Sequence, residues 1–194
     1  MNLSEQDAKE SLASINDAKA RTRRAVIKAY ASPVLMLWGA VWTVCYLGSH
    51  LFPRSSREIF PAGASVGVAA MVFLHMRECR RGPAIRNAFD ESLVLRANLL
   101  WVFVFAFTCL GLVLLRPSDG IHMNAFLCAM AMFGCIVMGL WFCIWTMVIL
   151  GLAITVAALV GCFVIPPMYY ALWMAVTFGG SLFGTGLYMH WRWR

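Results

Sequence analysis

Three sets of side chains in this sequence could do chemistry. Four histidines, His50, His75, His122 and His190, fall in pairs near the two ends of long apolar runs. Paired histidines can be axial haem ligands, but such ligands are buried in protein. These four sit at the rims, where an imidazole keeps a wet polar tip. Cys128, Met132 and Cys135 recur at helical spacing, with Met123, Met130 and Met138 nearby. Soft sulfur donors suit Cu(I), although the plainer role of Cys and Met in an apolar helix is adaptable packing. The third set is neutral and polar: Thr43, Asn98, Thr108, Asn124, Thr146, Thr155, Thr177, Ser181 and Thr185. They could line a path for an uncharged solute, or bond within their own helices and to neighbours.

Other chemistry has little support. None of the seven cysteines forms a C-x-x-C pair, so neither a disulfide framework nor a zinc site is expected. No G-x-S-x-G, H-E-x-x-H or P-loop pattern occurs, and Asp90-Glu91 and Arg80-Arg81 read as solvated loop charges. The expectation is no catalytic residue, no cofactor and no metal, with Cys128, Met132 and Cys135 as the one soft-metal candidate.

The elements that hold these residues are apolar helices. Only 13% of the 194 residues are charged, against 61% hydrophobic, where a soluble domain carries about 25% charged residues. Lys, Arg, Asp and Glu are absent from Gly120 to Trp191, a span that fits several membrane helices in succession. The fold class is all-α: a polytopic membrane protein with six transmembrane helices as three hairpins. The expected spans are 33–52, 59–76, 95–115, 122–139, 140–165 and 168–190, with a four-residue tail at 191–194. Residues 83–94 read as an interfacial helix, since Ile85, Phe89 and Leu93 share a face.

Residues 1–32 read as a cytoplasmic amphipathic helix. Acids come early and bases late, which suits a helix dipole, and Ala8, Leu12, Ile15, Thr22 and Val26 fall near one face. The acids and many charges ahead of the apolar run argue against a signal peptide.

Charge sets the orientation. With six spans and both termini inside, thirteen of the sixteen Lys and Arg residues are cytoplasmic, leaving only Arg54, Arg57 and Arg116 outside. That matches the positive-inside rule. Arg21, Arg23, Arg24, Arg77, Arg80 and Arg81 become candidate contacts for anionic lipid or a protein partner. The net charge of +7 therefore does not indicate nucleic acid, because the bases flank spans.

A motif recurs three times: Leu37-Trp38-x-x-x-Trp42, Leu100-Trp101-x-x-x-Phe105 and Leu140-Trp141-x-x-x-Trp145, each followed by a Leu-Gly pair. In the six-span arrangement each copy opens an outward-running helix. Trp38, Trp101 and Trp141 would then be level anchors at the inner interface. Gly63-x-x-x-Gly67 and Gly180-x-x-x-Gly184 are expected at close helix contacts, within the chain or between copies in a homo-oligomer.

Two end segments carry a resemblance: Arg23-Arg24 with Leu37-Trp38-Gly39, and Pro167-x-Tyr169-x-x-Leu172-Trp173-Met174 with Gly179-Gly180 and Gly186-Leu187. Together they resemble small bacterial membrane proteins of about this length. The resemblance implies a bacterial inner membrane and carries no activity with it. The functional expectation is a non-enzymatic regulatory or assembly component binding lipid or a partner protein, with a small transporter or channel for an uncharged solute as the alternative.

Overall fold

The computed structural model of the protein describes residues 9–15, 17, 31–80, 91–115 and 119–192. Arg21, Arg23, Arg24 and Arg81, and most of the expected interfacial helix at 83–94, lie outside them. Among the described residues the chain is all-helical, and five helices are long and apolar enough to cross a membrane: Ser32–Leu51, Pro53–Leu74, Leu95–Leu115, Gly120–Trp141 and Trp145–Phe163.

Helix α1 is Ser32–Leu51, with Pro33 in its first turn, where a missing N–H leaves no bond unmade. Pro53 stops it and starts a 3-10 turn, Pro53–Ser55, that leads into α2, Ser56–Arg80. Pro61 lies inside α2, one turn deeper than a span starting at 59 would place it. Helix α3 is Glu91–Leu115, so residues 91–94 are continuous with the span that follows them. Helices α4, Gly120–Trp141, and α5, Trp145–Phe163, follow. After Pro166 the chain runs through α6, Pro167–Met174, a π-helical turn, Ala175–Gly180, and α7, Ser181–Arg192, without interruption. Arg192 therefore belongs to this last helix and not to a tail.

The α4–α5 junction corrects one expected boundary. Leu140-Trp141 closes α4 and does not open α5. The Cys143 N–H donates to the Leu140 carbonyl (3.2 Å) and the Ile144 N–H to the Gly139 carbonyl (2.7 Å). This paired pattern ends a helix by satisfying its last carbonyls, and it needs a left-handed residue between the two donors. Cys143 takes that conformation, with φ 54°. Apolarity alone cannot mark such an end, because every residue from Phe142 to Ile144 is as hydrophobic as the helices around it.

Helix α1 packs along the last helical stretch, α6 to α7, and α4 packs along α5. The two pairs meet where α5 touches α6, the π-turn and α7. Helix α2 packs mainly on α1 and α3 on α4; both leave most of their apolar surface uncovered.

The α1 seam is made of small residues. A Cβ added to Gly39 would strike the Phe183 backbone, and would lie 2.9 Å from the Gly179 carbonyl. One added to Gly179 would strike Thr43, and one on Gly186 would come within 2.8 Å of the Met36 nitrogen. The Ser32 hydroxyl, fully buried, donates to the Gly186 carbonyl at 2.8 Å. Gly180 and Gly184, expected at such a contact, are not in it: Gly184 faces open space. Neighbouring helical residues point about 100° apart, so with Gly179 turned to α1, Gly180 and Gly184 turn elsewhere. Gly63 and Gly67 do face another helix, against Cys45 and Trp38 of α1.

The backbone contact makes a clear contrast. Gly39→Ala should lower stability by about 1–3 kcal/mol through overpacking, while Gly184→Ala should stay within about 1 kcal/mol of the parent, with any change a gain in helix propensity. Thermal unfolding of both variants in mild detergent checks this; equal tolerance at the two positions would refute the close approach.

Candidate functional site

The polar interior of the bundle is centred on Asn124. Its side-chain oxygen accepts hydrogen bonds from the Tyr46 hydroxyl (2.8 Å) and the Tyr170 hydroxyl (2.9 Å). These residues come from α4, α1 and α6, so one oxygen joins three helices. Tyr46 and Tyr170 are 4% and 6% exposed. Both acceptor positions of that oxygen are therefore used, as burial in an apolar bundle requires. Tyr46 is further enclosed by Phe60 of α2 and Phe178 of the π-turn, edge-on at 5.2 and 6.1 Å between ring centroids, and Trp42 meets both of those rings. Ser49, one turn beyond Tyr46, has a buried hydroxyl with no partner among the described residues.

Most other interior hydroxyls bond within their own helices. Thr43, Thr108, Thr155 and Thr177 each donate to the carbonyl four residues earlier, at 2.6–2.8 Å. Asn98 is exposed on α3. Thr146, Ser181 and Thr185 differ: together with Ile149, Leu150, Ala153 and Gly184 they line an open groove of about 380 Å³ between α5 and α7. Of the nine neutral polar positions, the structure brings these three together.

Cys128, Met132 and Cys135 are buried in the main apolar cluster, with Leu150, Ile154 and Tyr170 around them. Among the described residues no group of three His, Cys, Asp or Glu side chains could hold a metal ion. His50, His122 and His190 lie on α1, α4 and α7, and the side chain of His75 falls outside what is described. His122 binds the Asp119 carboxylate through Nδ1 at 2.7 Å, and its ring lies edge-on to Phe163. His50 and His190 are half-buried near the ends of α1 and α7. Arg77 is exposed on α2, and Arg80 is that helix's last residue.

The three motif tryptophans are not equivalent. Trp38 packs over Gly67 of α2, while Gly48 meets Ile59. Trp101 packs over Gly134 of α4, while Gly111 meets Phe126. In both pairs the Trp and Gly of the first helix are ten residues apart and their partners eight apart, so the two hairpins share one register. The third copy breaks this pattern. Trp141 ends α4, and Gly151 packs back onto Ile136 of the preceding helix. The third hairpin reverses the roles, with Gly161 against the Trp173 ring, whose indole N–H donates to the Ala157 carbonyl at 2.9 Å.

Sequence reasoning missed the Tyr–Asn–Tyr junction. Neither Tyr46 nor Tyr170 was among the candidate site residues. The available signal was Asn124 itself, since an amide inside a span must find partners.

At the N-terminus of α4 the Asp119 carboxylate accepts from the His122 backbone N–H at 2.7 Å, besides holding the imidazole. The hydrogen bond from that N–H, then the one from the ring, hold the Asp119 carboxyl below the usual carboxylate range.

Substitutions at the junction and at the cap test these contacts. Asn124→Leu strips both tyrosine hydroxyls of their acceptor and should cost about 2–5 kcal/mol. Tyr46→Phe and Tyr170→Phe should each cost about 1 kcal/mol, and unfolding of the single and double variants should show coupling through Asn124. Because the folded pKa of Asp119 is depressed, its cap contributes above the ordinary carboxylate range and is lost as pH falls through the lowered value. Asp119→Ala should therefore lower the melting temperature at pH 7, with the gap to the parent closing in acid. A gap of constant size from neutral to acid pH would contradict the cap. Comparison with known protein families, characterised proteins and solved structures finds no match, so these contacts must carry the functional reading by themselves.

Proposed function

We propose that this chain is a non-enzymatic integral membrane protein that works by binding lipid or a protein partner, as a regulatory or assembly component of a bacterial inner membrane. In this reading it crosses the bilayer six times, the last stretch from Pro167 to Arg192 forming the sixth span, with both termini cytoplasmic. Residues 1–32 would lie on the inner surface as an amphipathic helix. Leu12 and Ile15, both exposed on a helical segment, would then enter the lipid.

The observation that carries the reading is how the interior polar groups are used. Tyr46, Asn124 and Tyr170 satisfy one another, and four of the threonines bond their own helices. A solute path needs polar groups free to exchange partners with the solute, whereas the tyrosine–asparagine junction locks helices together and these threonines are occupied within their own. The charge sits at the ends of the helices, where thirteen of sixteen bases would face the inner leaflet in the six-span arrangement. Each base near an anionic surface contributes about 1 kcal/mol to its attraction.

The alternative, a passage for an uncharged solute, makes a different prediction. Proteoliposomes containing the full chain should swell in glycerol or urea at the rate of protein-free liposomes, and the purified protein should retain anionic lipid over zwitterionic lipid. Arg21→Gln, Arg23→Gln and Arg24→Gln together should reduce that preference. Solute entry that scales with the amount of protein would overturn the binding reading in favour of transport.

A further inference from the structure

We propose that the groove between α5 and α7 binds one anionic phospholipid. The phosphate would sit at Arg192, the glycerol-ester region against Thr146, Ser181 and Thr185, and an acyl chain along Ile149, Leu150 and Ala153. This site deepens the lipid-binding reading above and rests on it.

The groove is built for a guest that is apolar at one end and polar at the other. Its floor is aliphatic, and Gly184 leaves room in its wall, since a Cβ added there would meet nothing within 4 Å. Its three hydroxyls make no hydrogen bond among the described residues. That sets them apart from Thr43, Thr108, Thr155 and Thr177, which bond back to their own helices. In a bilayer an unbonded hydroxyl is costly, and one that faces an open groove can be satisfied by an acceptor from outside the chain. Ester carbonyls of a phospholipid are such acceptors.

The charge complements this. Ser181, Thr185, Tyr188 and Arg192 lie at i, i+4, i+7 and i+11, one stripe along α7. The Arg192 guanidinium binds the Tyr188 hydroxyl and lies 5.6 Å from the centre of its ring. Folded back in this way, its charge sits about one helical turn from Thr185. The chain has no Asp or Glu after Asp119, so no carboxylate on α4, α5, α6 or α7 can neutralise it. The first turn of α5, which carries Thr146, brings the positive end of a helix dipole to the same place. Trp145 and Trp191, 65% and 69% exposed, put this end at headgroup level, where indole rings settle. A phosphodiester meets the charge, its esters meet the hydroxyls, and its chain covers the aliphatic floor. A helix from a second copy would cover the floor, but α1, α4, α5, α6 and α7 bring no anion, and α2 and α3 carry glutamates only at or near their ends.

Native mass spectrometry of the full chain, purified in mild detergent and incubated with phosphatidylglycerol or phosphatidylcholine, tests this. One phosphatidylglycerol should stay bound per chain. Gly184→Leu fills the groove and should cut retention about tenfold, as should Thr146→Val with Thr185→Val, the loss expected from one or two hydrogen bonds. Arg192→Gln should abolish the preference of this single bound lipid site for phosphatidylglycerol over phosphatidylcholine. The two threonine changes keep the side-chain shape and decide the matter if Gly184→Leu fails to fold. Arg21→Gln, Arg23→Gln and Arg24→Gln together should leave the single bound lipid in place. The groove can therefore fail while the broader preference for anionic lipid survives, and the reverse. Retention unchanged in both groove variants would overturn the proposal, as would a lipid-free dimer that Gly184→Leu converts to monomer.

Discussion

Where α1 runs along the last helical stretch, the two backbones approach without side chains between them. Gly39 faces the Phe183 backbone, Gly179 faces Thr43, and Gly186 faces Met36. Between helices in lipid there is no hydrophobic drive to association, because lipid tails are as apolar as the side chains. Dispersion between closely packed atoms and hydrogen bonds across the gap must hold the helices instead. The buried bond from Ser32 to the Gly186 carbonyl is one of these. Helix α1 and the last of the described helical stretches are thereby closed on one another.

That closure positions the polar chemistry. With α1 against α6, Tyr46 and Tyr170 come within reach of a single oxygen on α4. The same contact turns Gly179 inward, so Gly180 and Gly184 face away, and Gly184 lines the groove with α5. One glycine of a pair that reads as a packing motif thus becomes part of the wall of a cleft. The π-turn at Ala175–Gly180 lies at the centre of this arrangement, in keeping with the tendency of such turns to occur at functional positions.

The recurring Trp motif divides the same way. Two copies build hairpins with a shared register, each placing an indole over a glycine and a glycine under a bulky side chain. The third copy straddles a helix end, because the chain turns at Cys143 in the left-handed conformation. A repeated pattern of residue types does not ensure a repeated pattern of contacts; here the difference is made by three residues that give the α4 carbonyls their last partners.

The all-helical class and the membrane-length apolar helices were legible in the amino-acid order, since length, hydropathy and the absence of charge are local properties. Helix ends at prolines were legible for the same reason. The helix end at Trp141 was not, because its cause is a backbone conformation at Cys143 that side-chain polarity does not signal. The roles of Gly179 and Gly186, of Tyr46, and of the three groove hydroxyls were likewise invisible. Each depends on which way a residue faces once a helix has found its neighbour. In a chain apolar on nearly every face, periodicity does not mark an inner side; only the pairing of helices distant in sequence creates one. Tertiary structure alone therefore decided that α1 closes on the end of the chain, that Asn124 joins three helices, and that Thr146, Ser181 and Thr185 share one cleft.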